Sequence, residues 1–209
     1  MDENHQPAIL LIGPTGSGKT PLGSVCQQKG LWGNRCRHFD FGEELRRIAQ
    51  TNVTPSFLTE QDLEVVADSL KTGALLESEH FHIAQNILKA FAKKRILSGS
   101  DLLLLNGLPR HRGQARDVDS IVDIKTVIHF ECDPRIIRQR IRLNSGGDRA
   151  DRIDDSIEAI ETKVQLFRNR TLPLLNHYRS TGVRIVEINI KVNTTAEEIH
   201  QQLEANHSL

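Results

Sequence analysis

Residues 13–20 read Gly-Pro-Thr-Gly-Ser-Gly-Lys-Thr, the spacing GxxxxGK[ST], directly after the apolar run Ala8 to Ile12. Average residue frequencies make a chance match to that bare pattern on the order of one per cent for such a chain. The residue types fit one task, cradling a triphosphate. Gly13, Gly16 and Gly18 permit backbone angles closed to other residues, so that consecutive N–H groups, Ser17 among them, converge on phosphate oxygens. Lys19 supplies a mobile charge for the outer phosphates, and the Thr20 hydroxyl is placed to bind Mg²⁺. Pro21 fits the first turn of the helix that must follow, whose positive end faces the same anion.

Such a loop names ATP or a similar donor but not the group that receives the phosphoryl. Four further segments bear on the acceptor. Leu103 to Ala115 reads Leu-Leu-Leu-Asn-Gly-Leu-Pro-Arg-His-Arg-Gly-Gln-Ala, Phe39 to Arg46 reads Phe-Asp-Phe-Gly-Glu-Glu-Leu-Arg, and residues 73–76 read Gly-Ala-Leu-Leu. The fourth, residues 152–155, is Arg-Ile-Asp-Asp. In this order they resemble the DGFPR, STGDLLR, G-x-L-V and R-x-D-D motifs of adenylate kinases and their nucleoside monophosphate kinase relatives, over residues 9 to about 182.

The resemblance implies a P-loop three-layer αβα fold with a five-stranded parallel sheet, in one domain over residues 1–209. It also implies a helical segment over the monophosphate (residues 40–76) and a short lid (residues 141–151) without zinc-binding cysteines. It places Arg46 and Arg110 on the monophosphate, where a planar guanidinium pairs two oxygens at once, and puts Leu76 in the same pocket. Gln114 falls where the family's glutamine reads adenine. Arg140 and Arg152 fall on arginines that clamp ATP and the transferring group, with Lys163 in place of another arginine.

The sequence also departs from the family. Asn106 replaces the aspartate that serves Mg²⁺, and Asp40 is the candidate substitute, as a metal ligand or beside the acceptor, because shikimate and gluconate kinases carry an aspartate at the end of the second strand. A strand-end cap is its alternative role. Phe41 replaces a small hydroxyl residue and is expected to stack on a base or fill the pocket. Asn144 stands in for a lid arginine, leaving Arg142 or Arg149 to serve.

Apolar runs alternating with helical periodicity imply a parallel sheet covered on both faces. Strands are expected at Ala8 to Ile12, Cys36 to Phe39, Leu102 to Asn106, Val127 to Phe130 and Val183 to Ile188. Thr59 suits a helix cap ahead of Leu63, Val66, Ala67 and Leu70, and Thr195 with Glu198 forms a capping box. Pro173 should bend or end the helix of Ile157, Ile160, Val164 and Phe167.

The 27 basic and 27 acidic side chains cancel, so no global field draws nucleic acid or an anionic membrane. Three scattered cysteines and a polar N-terminus suit the cytoplasm. His80 and His82 form no metal set. The expected activity is ATP plus AMP giving two ADP with Mg²⁺, by a monomer that binds neither nucleic acid nor membrane. A small-metabolite kinase and a nucleotide-binding module without turnover are the alternatives.

Overall fold

A computed structural model describes residues 5–51, 53–95, 101–148 and 156–206. Its centre is a five-stranded parallel sheet in the order β2-β3-β1-β4-β5. The strands are β1 (Gln6–Ile12), β2 (Cys36–Asp40), β3 (Leu102–Asn106), β4 (Val122–Glu131) and β5 (Arg184–Asn189). In β1, Ala8, Leu10 and Ile12 enter one apolar core while Ile9 and Leu11 enter another on the opposite face. β3 divides likewise, Leu103 and Leu105 against Leu102 and Leu104. Near-continuous apolar runs are what a strand buried on both faces requires.

Helices cover both faces: α1 (Lys19–Lys29), α2 (Phe41–Gln50), α3 (Glu60–Thr72), α4 (Phe81–Arg95), α5 (Arg112–Asp119), α6 (Pro134–Arg142), α7 (Ile157–Leu166), α8 (Leu174–Ser180) and α9 (Ala196–Ala205). Thr59 accepts from the Asp62 N–H while Asp62 accepts from the Thr59 N–H, a reciprocal cap at the start of α3. Val66 is buried and Leu63 and Leu70 pack beside it, whereas Ala67 faces outward. Thr195 and Glu198 close the same reciprocal cap on α9. Ahead of Pro173 the α7 backbone widens into a π-turn over Phe167–Thr171 before α8 begins. Among the described residues no helix is long and apolar enough to cross a membrane.

The register brings three strand ends together, because Asn106 pairs with both Leu11 and Asp40. Loops leaving the carboxyl edge of a parallel sheet are where such folds bind ligands.

Candidate active site

The loop after β1 turns into α1 through Gly18, which caps the helix with φ of 100° in the left-handed region that favours glycine. A Cβ there would also come within 3.3 Å of Arg140 Nη2. Ser17 is fully buried and its hydroxyl has no hydrogen-bond partner among the described residues. A buried polar atom left so is a mark of a place that a ligand completes, and it fits a phosphate here. Lys19 folds over the loop and donates from Nζ to the carbonyls of Gly13 (2.7 Å) and Pro14 (2.8 Å).

Asp40 joins this loop to the second strand. Its Oδ1 accepts from the Glu43 N–H at 3.0 Å and so caps α2, while Oδ2 accepts from Thr20 Oγ1 at 2.6 Å. Asn106 Nδ2 donates to the same Oδ2 at 2.7 Å and to Thr20 Oγ1 at 3.0 Å. The helix cap weighed for Asp40 from sequence is thus present, and the carboxylate also lines the cavity beside Thr20. Burial pushes its pKa up, but the Thr20 hydroxyl, His38, the Glu43 N–H and Arg46 outweigh this and hold it below the usual carboxylate range. An ionised carboxylate beside a hydroxyl is a hard-oxygen donor set that fits Mg²⁺.

One cavity of about 200 Å³ is lined by Gly13, Gly16, Gly18, Lys19, Thr20 and Asp40 on the loop side, and by Arg46, Arg110 and Lys163 among others. Arg46 projects from α2 past Gly42, where a Cβ would lie 3.4 Å from its Nη1. Burial lowers the pKa of Arg110, with Asp40 opposing, and the guanidinium stays charged throughout. Its backbone is held from both sides: the N–H donates to Gln114 Oε1 at 2.8 Å, and the carbonyl accepts from Thr171 Oγ1 at 2.8 Å.

Several residues expected to touch ligand have other neighbours. Phe41 is 5% exposed and packs in the core, its ring centroid 6.1 Å from that of Phe39. It fills space beneath the site instead of facing a base, because it follows the last strand residue and turns inward with α2. Gln114 is buried, and both ends of its amide are occupied, Oε1 by Arg110 and Nε2 by the Leu76 carbonyl at 2.8 Å. Leu76 contributes that carbonyl while its side chain is in the core.

Arg140 is almost fully buried and donates from Nε to the Gly16 carbonyl (3.0 Å) and from Nη1 to the carbonyls of Lys191, Val192 and Thr194 (2.8–3.0 Å). In this arrangement it braces the loop against the turn after β5, with only Nη2 beside Gly18. Arg149 and Arg152 lie outside the described residues. Arg142 is exposed, and Asn144 occupies a turn with φ of 46°. His82 pairs with Asp62 at 2.7 Å, and among the described residues no group of three or more His, Cys, Asp or Glu is placed to hold a metal.

Asp148, Phe167 and Thr171 also line the cavity, and sequence reasoning missed all three. Thr171 lies two residues before Pro173, whose position signalled only a helix end.

Comparison with known proteins accords with this geometry. A family model described as an AAA domain matches residues 12–161. An adenylate kinase of Prochlorococcus marinus (strain MIT 9211) is 30% identical over 186 residues, covering 85% of this chain and 86% of its own. The chain belongs to the adenylate kinase family of P-loop kinases. Rice (Oryza sativa subsp. japonica) UMP-CMP kinase 1, another nucleoside monophosphate kinase, is 27% identical over 91% of this chain and 71% of its own. A gluconokinase of Sinorhizobium meliloti 1021 shares the fold with a TM-score of 0.55 at 14% identity, over 98% of this chain and 93% of that one. A member of the adenylate kinase family is a phosphotransferase.

Proposed function

We propose that the protein transfers the γ-phosphoryl group of ATP to AMP, giving two ADP. The observation that carries this is that one cavity is lined both by residues of the Gly13 to Thr20 loop and by Arg46 and Arg110. The loop N–H groups and Lys19 hold the donor's phosphates, and Arg46 and Arg110 hold the acceptor's phosphate by paired hydrogen bonds. An acceptor phosphate oxygen attacks the γ-phosphorus as the bond to the β,γ-bridging oxygen breaks, and that oxygen keeps the electron pair. The attacking oxygen carries no proton at neutral pH, so positioning and charge supply the rate.

Thr20 and Asp40 would hold Mg²⁺, which when bound neutralises charge on the outer phosphates. Residues 40–76 serve as the monophosphate segment and residues 141–151 as the lid, with Arg140, Arg152 and Lys163 on the ATP side. The protein acts as a cytoplasmic monomer without nucleic acid or membrane. Its three cysteines being free thiols supports the compartment.

The test is a coupled assay across AMP, GMP, CMP, UMP and dTMP. ADP formation fastest with AMP is expected, and none with any acceptor would end the proposal. Asp40 favours a second reading, because an ionised carboxylate at the cavity could take the proton of a metabolite hydroxyl. Calorimetry with two linked adenosines separates the two, since a small-metabolite kinase would not bind them.

A further inference from the structure

The segment expected over the monophosphate ends at Leu76, and the next residue is tied to the π-turn, whose Phe167 and Thr171 line the cavity. Glu77 accepts from Arg170 through two parallel bonds, Nη1 to Oε1 at 3.0 Å and Nη2 to Oε2 at 2.8 Å. His111 Nε2 lies 3.8 Å from Glu77 Oε2 and 3.2 Å from the Leu76 carbonyl. That carbonyl also receives Gln114 Nε2, and Gln114 Oε1 receives the Arg110 N–H. One residue past Arg170, Thr171 holds the Arg110 carbonyl.

These contacts form one chain. Moving residues 76–77 outward pulls the Leu76 carbonyl from Gln114, and Gln114 then no longer fixes the Arg110 peptide. The approach is close: a Cβ built on Gly113 would fall 2.6 Å from Ser78 Oγ and 3.1 Å from the His111 ring, so α5 and the segment lie in near contact. The π-turn contributes as well, since an extra residue in a helical turn re-aims the side chains that follow, and such turns recur at functional sites.

We propose that the Glu77–Arg170 ion pair is a latch that sets the wall of the acceptor half-site, making both positioning residues for monophosphate binding through Leu76, Gln114 and Arg110. The inference rests on Arg110 holding a monophosphate. The two side chains are 46% and 38% exposed, so the pair acts by geometry more than by strength, since exposed pairs contribute little. Two parallel bonds fix direction in a way that one cannot.

The experiment compares Glu77→Gln, Arg170→Gln and the double variant in steady-state kinetics, varying AMP at saturating ATP and then the reverse. Each single change is expected to raise the KM for AMP about fivefold, the equivalent of ~1 kcal/mol, while kcat and the KM for ATP move less than about twofold. The double variant should be no worse than either single one, because the second change removes nothing further. A singly altered KM for AMP within twofold of the unaltered protein, equal shifts for both substrates, or additive losses in the double variant would each overturn the latch.

Hydrogen exchange of the amides of residues 73–77 is read in the same variants and needs no turnover. Faster exchange in both single variants supports the latch, and unchanged exchange opposes it. If the unaltered protein phosphorylates no monophosphate, the proposed function fails while this second readout still judges the contact.

Discussion

Replacing Asn106 by aspartate restores the residue found in the relatives' motif, yet the geometry says the change is harmful. Asn106 Nδ2 is a donor to Asp40 Oδ2 at 2.7 Å and to Thr20 Oγ1 at 3.0 Å. Asn106→Asp exchanges that donor for a second carboxylate against the first. The lost charge-assisted bond costs about 1.5–3 kcal/mol. Two unit charges roughly 3 Å apart repel by about 5 kcal/mol at an effective dielectric of 20. Protonating one carboxylate at pH 7.5 costs a similar amount, about 1.4 kcal/mol per unit above an ordinary value near 4.

Relaxation lowers the sum, and a net loss of about 3 kcal/mol shifts the melting temperature of a chain this size by roughly 6–12 °C. The sign in pH follows. One carboxylate of the pair has its folded pKa raised above the unfolded value, so the deficit sets in as pH rises above about 4, is smaller at pH 5 and is larger at pH 7.5. Thermal melts of Asn106→Asp at pH 5 and pH 7.5, with and without Mg²⁺, check this. Mg²⁺ should stabilise the variant more than the unaltered protein, and the exchange Asp40→Asn with Asn106→Asp should recover at least half the loss. A variant melting within about 2 °C of the unaltered protein at both pH values would refute the donor role of Asn106.

Arg140→Met should weaken ATP binding by tenfold or more in calorimetry and lower the melting temperature, because four backbone carbonyls lose one shared cation. Phe41→Ala should cost about 3–5 kcal/mol in urea unfolding yet leave the ratio of KM values between monophosphates unchanged, since the ring is core and not pocket. Asp40→Asn should flatten the acid limb of stability: a carboxylate with a depressed pKa stabilises above its unfolded value and loses that contribution as pH falls through the folded one. Melts between pH 2 and pH 6 read the difference.

The fold was legible where one physical signal decided it. β3 was read to its limits because Leu102 to Leu105 is buried on both faces and nothing competes with that pattern. β4 was read as Val127 to Phe130 but begins at Val122, because Asp123 and Lys125 alternate with buried Val122, Ile124 and Thr126 and break the apolar run. The phosphate loop was legible because glycine spacing and a strand end are local. The occupation of Gln114 and Arg140 was not, since their partners stand 38 residues away at Leu76 and 51 to 54 away at Lys191 to Thr194. No single segment holds both halves of such a contact.

The charge arrangement bears on which acceptor fits. Arg46 helps hold the Asp40 carboxylate ionised, and Asp40 opposes the burial of Arg110, so one anion works on two guanidinium groups. Asp40 already receives Thr20, Asn106 and the Glu43 N–H, so its oxygens have little left to offer either fork. A carboxylate presents two oxygens and matches one fork; a phosphate monoester presents three and can engage two forks at once. An uncharged hydroxyl acceptor would leave two like charges facing one cavity. If Arg46 and Arg110 hold the acceptor as proposed, a doubly charged, three-oxygen end suits the two together, which favours a nucleoside monophosphate over a sugar acid even with Asp40 in place.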